Sequence, residues 1–319
     1  MSAPWTKDVP ADPVVSNGDG SLPAWSQEPP AIEPKPAPTE ALRWRLPLLL
    51  FVLTVLTTLM AGAMLKGVDP FSSPFAILAG FPFSATLLSI LLIHEMGHYL
   101  TARHYRIQST LPYFIPAPPF PFIIGTFGAF IRMKSPIVER KALLEVGAAG
   151  PIAGFIVAVL AVILGLQLST TVKTSLGGGM ILGEPLLFRA ISHWLMTIPP
   201  DSDVLLHPIA FAGWIGLFIT SLNLLPIGQL DGGHIGYAVF GKRHRYIALM
   251  MVGILIGLGA LGWKGWLFWA VLVSFLGIGH PPVMDEHVPL GRRQLVIAWT
   301  ALIIFLVTFM PLPISFIGE

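Results

Sequence analysis

The sequence predicts an all-α polytopic membrane protein of six to seven transmembrane helices, with a small membrane-associated β-strand or hairpin element between the second and the third. Three observations carry that prediction. Of the 319 residues, 54% are hydrophobic and 11% are charged, where a soluble domain carries roughly 25% charged residues. The mean hydropathy is +0.74. Apolar stretches of spanning length recur near 44–65, 84–103, 142–168, 208–227, 246–262, 265–280 and 294–313. The fifth and sixth are short and separated by only Trp263 and Lys264. A shallow hairpin there would leave six full spans instead of seven.

The first 40 residues are polar and hold nine prolines. They contain no apolar run of the kind a secretory signal needs. They read as a disordered Pro-rich tail ahead of one domain over 41–319. Charge sets the orientation of the spans. Arg43 and Arg45 precede the first span, and Arg103, Arg106, Arg132, Lys134, Arg140 and Lys141 lie between the second and third. Lys242, Arg243 and Arg245 lie between the fourth and fifth, and Arg292 and Arg293 precede the last. With seven alternating spans all of these share one face, while the other collects only Lys66, Lys173, Arg189 and Lys264. The tail is therefore expected in the cytoplasm, the C-terminus outside, and the protein in a bacterial cytoplasmic (inner) membrane.

Two connections differ from ordinary loops. Residues 111–121 are too rich in proline for a helix. The stretch 125–133, from Gly125-Thr126-Phe127-Gly128-Ala129 to Met133, reads as extended. Lipid tolerates such backbone only where protein or water satisfies it. Further on, Gly177-Gly178-Gly179 is a flexible break, and residues 186–195 fit an amphipathic surface helix.

Composition also excludes functions. A net charge of +2 offers no basic patch for nucleic acid, and the absence of cysteine removes disulfides, thiol catalysis and cysteine zinc sites. Nine histidines remain as metal ligands. Two of them sit in His94-Glu95-Met96-Gly97-His98, inside the second apolar stretch. Ionisable side chains in a bilayer mark function by default, and this is the H-E-x-x-H spacing of zinc metalloproteases. Residues four apart share a helix face, so His94 and His98 can hold one metal while Glu95 reaches a water beside it. A catalytic zinc needs a third protein ligand and an open fourth position. The best candidate is Asp231, in the segment Asn223-Leu224-Leu225-Pro226-Ile227-Gly228-Gln229-Leu230-Asp231-Gly232-Gly233-His234. Pro226 and the glycines would break a helix there. His234 is the rival third ligand, Asp231 could instead cap a helix, and Asn223 could be polar glue between helices. Charge placement puts both clusters in the cytoplasmic half of the membrane.

The two motifs together resemble the site-2 protease family of intramembrane zinc metalloproteases. That family pairs H-E-x-x-H on one transmembrane helix with N-x-x-P-x-x-x-L-D-G on another, and residues 94–98 and 223–232 match both without a mismatch. Gly125 to Ala129, Ser135-Pro136, Arg140-Lys141 and Gly150-Pro151 also look like the branch that lacks PDZ domains. The likeness spans roughly 84–235. It implies one Zn2+ bound by His94, His98 and Asp231, Glu95 as general acid/base, and Asn223 helping to stabilise the oxyanion. It implies a transmembrane protein as substrate. The extended stretch 125–133 either offers such a substrate an edge for strand addition or is purely structural. No stretch has the length and polarity of a PDZ domain, and none resembles a CBS-type domain, so regulation by either is not expected. A zinc-binding transporter and a non-catalytic scaffold are the other readings. Oligomeric state is not legible. Gly150 and Gly154 form a small-x-x-x-small pair that reads as helix packing, and His280-Pro281-Pro282 reads as a turn.

Overall fold

A computed structural model describes residues 44–120, 123–173, 180–199 and 202–316. The expected tail over 1–40 and the Gly177-Gly178-Gly179 break lie outside the described residues. Helices occupy all seven apolar windows. They are α1 (Arg45–Leu65), α2 (Phe81–His104), α3 (Arg140–Gln167), then the surface helix α4 (Leu186–Leu195), α5 (Pro208–Asn223), α6 (Asp231–Phe240), α7 (His244–Leu261), α8 (Gly265–Leu276) and α9 (Arg292–Thr308). The strands are β1 (Tyr113–Pro116), β2 (Thr126–Phe130), β3 (Thr170–Lys173), β4 (Met180–Leu182), β5 (Ser202–Leu205) and β6 (Ile314–Phe316).

Among the described residues, four helical stretches are long and apolar enough to cross a membrane: Arg45–Leu65, Ala76–His104, Arg140–Gln167 and Asp231–Leu261. Pro208–Asn223 and Gly265–Leu276 are apolar but shorter. Two boundaries differ from the hydropathy reading. The fourth window extends to 227, but α5 stops at Asn223, three residues before Pro226, which cannot continue a helix. The fifth window starts at 246, but helix resumes at Asp231 and runs through a 3-10 turn, Gly241–Arg243, into α7.

The faces of α1 are reversed relative to a soluble helix. Thr54, Thr58, Ala61, Gly62 and Ala63 are buried, while Leu46, Leu49, Val52 and Leu56 are exposed. In lipid, helices associate through small residues and hydrogen bonds rather than by hiding leucine. Thr58 Oγ1 accordingly meets Ser84 Oγ of α2 at 2.7 Å. The chain is a membrane protein built on that logic.

The central helix is α3, whose residues from Ala142 to Ala148 are all buried. It crosses α2 and α5 at glycines. A Cβ on Gly97 would stand 2.5 Å from the Ala149 carbonyl oxygen, and one on Gly216 2.9 Å from both Ala158 and Ile90.

The expected hairpin is present. Strands β1 and β2 pair antiparallel, Tyr113 opposite Phe130 and Phe114 opposite Ala129. Gly125, at φ +75°, turns the chain between them. Its carbonyl accepts a 2.6 Å hydrogen bond from Thr57 Oγ1 of α1, which supplies the partner that lipid could not. Two further antiparallel pairs, β3 with β5 and β4 with β6, were not foreseen.

Candidate metal centre

The centre is assembled from four helices. His94 and His98 lie on one face of α2, and both are buried, at 4% and 6% exposure. The ring of His98 is fixed from behind: its Nδ1 lies 2.7 Å from the Val146 carbonyl of α3. A carbonyl can only accept, so Nδ1 carries the proton and Nε2 is left with a bare lone pair. Such a bond fixes both the tautomer and the orientation of a metal-binding imidazole. The two Nε2 atoms are 3.1 Å apart.

Helix α3 gives these rings their room. A Cβ on Gly150 would collide with the His98 imidazole. One on Gly154 would stand 3.0 Å from His94 Cβ and 3.1 Å from its Nδ1. Histidines four apart on α2 thus face glycines four apart on antiparallel α3. The packing pair seen in the sequence packs the two imidazoles themselves.

The third group comes from beyond the break after α5. Residues 224–230 form an irregular turn in which Gly228 takes φ +55°. The other two glycines do not break the helix as expected. They lie inside α6, where the approach of the turn excludes a side chain: a Cβ on Gly232 would collide with the Leu224 carbonyl, and one on Gly233 with the Gly228 carbonyl. Asp231 is the first residue of α6, and its side chain does not cap the helix. Its Oδ2 lies 3.3 Å from each histidine Nε2, with the carboxylate at the helix end where the dipole favours an anion.

Among the described residues, His94, His98 and Asp231 form the group whose ligand atoms all lie within 4.8 Å of one another. Their separations of 3.1, 3.3 and 3.3 Å suit a small ion. Zinc binds nitrogen and oxygen at about 2.0–2.1 Å, which sets tetrahedral ligands about 3.3–3.4 Å apart. Lone pairs this close repel unless a cation lies between them, so the donor set fits zinc.

The remaining expected residues surround this group. Glu95 is buried, at 5% exposure, and close enough to His94, His98 and Asp231 to interact with each electrostatically. The Ile131 backbone amide, just past β2, also approaches its carboxylate. Asn223 Nδ2 is 3.3 Å from His94 Nε2, on the centre rather than merely between helices. His234 points elsewhere, its Nδ1 2.7 Å from His280 Nε2, and it is outside the converging group. The Val146 carbonyl was missed by sequence reasoning, since a backbone acceptor carries no residue signature.

Residues 82–260, more than half of the chain, match Peptidase family M50. "Probable zinc metalloprotease EGY2, chloroplastic" of Arabidopsis thaliana is 31% identical over 251 residues, covering 75% of this chain and 43% of its own length. "Probable zinc metalloprotease EGY1, chloroplastic" of the same plant is 29% identical over 307 residues, 87% of this chain and 55% of its own length. The chain spans about half the length of these curated relatives.

Proposed function

The chain belongs to peptidase family M50, and from that premise we propose that it is an intramembrane zinc endopeptidase. It hydrolyses peptide bonds within or near the transmembrane segment of membrane protein substrates. The observation that carries this reading is the convergence of His94, His98 and Asp231 at tetrahedral spacing within buried helices, beside Glu95.

His94, His98 and Asp231 hold the metal. When bound, zinc supplies Lewis acidity that polarises a carbonyl and makes water nucleophilic near neutral pH. Glu95 takes the proton of the attacking water on its carboxylate and delivers it to the leaving amine nitrogen. The Asn223 amide donates to the substrate carbonyl oxygen as negative charge develops there. Burial by α2, α3 and α5 keeps bulk water from weakening these interactions.

A helical substrate has its peptide groups bonded within itself, so it must unwind before it is cut. We place its unwound segment along β2, as an added strand. Two observations support that placement: among the described residues β2 has β1 as its strand neighbour, and its downstream amide at Ile131 reaches the carboxylate of Glu95. Replacing Gly128 and Ala129 with proline takes two backbone donors out of β2. Cleavage should fall while zinc content stays, and unchanged cleavage would refute strand addition. The seven apolar windows support six to seven spans, and the excess of Lys and Arg in the segments flanking the centre supports an orientation with the active-site face on the positive side. In a bacterial inner membrane that side is the cytoplasm.

The decisive variant is Glu95→Gln. It should retain one zinc per chain and lose cleavage by roughly 10²- to 10⁴-fold, the range attributed to a positioned acid/base. Full cleavage in that variant would remove the protease reading. A zinc transporter or a scaffold would be indifferent to it.

A further inference from the structure

Asp231 stands in a precarious place. It is the first residue of a ten-residue helix that continues through a 3-10 turn into α7. The next two residues are glycines, and the seven before it are the irregular turn. Nothing in α6 alone fixes its carboxylate to a fraction of an ångström.

The connector between α8 and α9 grips this segment along its whole length. At the turn, the Ile278 carbonyl accepts from the Gly228 amide at 3.2 Å. At the first turn of α6, His280 Nε2 meets His234 Nδ1 at 2.7 Å. His280 Nδ1 lies 2.6 Å from the Pro281 carbonyl, so Nδ1 is the donor and Nε2 accepts from His234. In the middle of α6, the Tyr237 ring stacks on His280 with centroids 4.5 Å apart, and its hydroxyl donates to Glu286. At the far end, Arg140 closes the grip. Its guanidinium donates to the Ala238 and Val239 carbonyls of the last turn of α6. It also donates to the Glu286 and Val288 carbonyls of the connector. Its own backbone amide donates to Asp285 Oδ1 at 2.6 Å. On the opposite side α6 rests against α3, where a Cβ on Gly147 would stand 2.9 Å from His234 Cβ and 3.1 Å from the Asp231 carbonyl.

We propose that residues 277–288 form a strap that positions the third metal ligand, with His280 and Arg140 as positioning residues acting on Asp231 through α6. The strap sets the distance between Asp231 Oδ2 and the two imidazoles, and so the affinity of the centre and the symmetry of its ligand field. Outer contacts of this kind typically change metal affinity by roughly 10- to 100-fold. The inference rests on Asp231 being a ligand and is tested separately from cleavage.

The full chain, purified in detergent, is titrated with zinc against a chelator of known affinity. In parallel it is loaded with Co2+, and its visible spectrum is recorded. His280→Ala should weaken zinc binding by roughly 10- to 100-fold and shift the cobalt bands, while the melting temperature of the metal-free protein holds. His280→Gln should recover most of the affinity, because Gln Oε1 can accept the His234 proton. Arg140→Lys, which cannot bridge four carbonyls, should weaken binding without abolishing it. The double variant His234→Ala/His280→Ala should be no worse than His280→Ala alone. Wild-type affinity and spectrum in both His280→Ala and Arg140→Lys would overturn the strap. So would a fall in metal-free melting temperature with no spectral change and no recovery by glutamine. A wild-type chain that takes up no cobalt would instead bring down the metal reading beneath it.

Discussion

Glycine behaves in opposite ways in two parts of this membrane protein. Along the seam of α2 with α3, Gly97, Gly150 and Gly154 are filled against: backbone or imidazole atoms occupy the space where a side chain would go. On α7, Gly253 and Gly257 have the same four-residue spacing, and among the described residues nothing lies within 4 Å of where their Cβ would be. Residue type and periodicity are identical, and only the surroundings differ. Gly150 and Gly154 let α3 close on α2 against the imidazoles of the candidate centre. The α7 pair leaves a helix face that is open in this chain, flanked by exposed Met250, Ile254 and Leu261. A small-x-x-x-small pattern therefore marks a site only when a partner helix brings matching groups to it.

That contrast can be broken most severely at the centre. Asp231→Ala removes one of the three proposed ligands, and stoichiometric zinc should disappear together with all measurable cleavage. Chelation of the wild type should reproduce the loss, and added zinc should restore the wild type alone. Metal analysis beside a cleavage assay reads both arms. A smaller effect is expected from Gly150→Ala. The new methyl meets the His98 ring, and overpacking of this kind costs about 1–3 kcal/mol. Zinc affinity and melting temperature should fall together, because one contact underlies both. The smallest effect, and of opposite sign, belongs to Gly253→Ala. With open space around it, the substitution should stabilise α7 by about 0.5–1 kcal/mol, with zinc content and cleavage unchanged. If Gly150→Ala and Gly253→Ala melted alike, the distinction between the two regions would be lost.

The long helices were legible in the sequence because lipid demands an unbroken apolar run, and α1, α2 and α3 were located to within a few residues. Their junctions were harder. Leu224, Leu225 and Ile227 kept the hydropathy high past the true end of α5 at Asn223, although Pro226 was visible. The polar, Gly-rich opening of α6 resembled a gap between spans, although those glycines are helical and pressed against the preceding turn. The pairs β3–β5 and β4–β6 join segments as distant as Met180 and Phe316, and no local pattern announces such a partner. At the centre, the positions of His94, Glu95, His98, Asn223 and Asp231 were legible as motifs, since chelation and acid/base chemistry need particular side chains at fixed spacing. What orders them was not. The Val146 carbonyl is backbone, and Arg140 and His280 contact α6 from segments remote from it in sequence.

The Val146 contact makes one ring the shared property of two rods. One nitrogen of His98 is tethered to α3, and the other faces the cluster. Prising α2 from α3 by little more than the length of that tether would swing the imidazole aside before any helical turn unravels. For the centre proposed above, metal content then becomes a gauge of whether the two rods are seated.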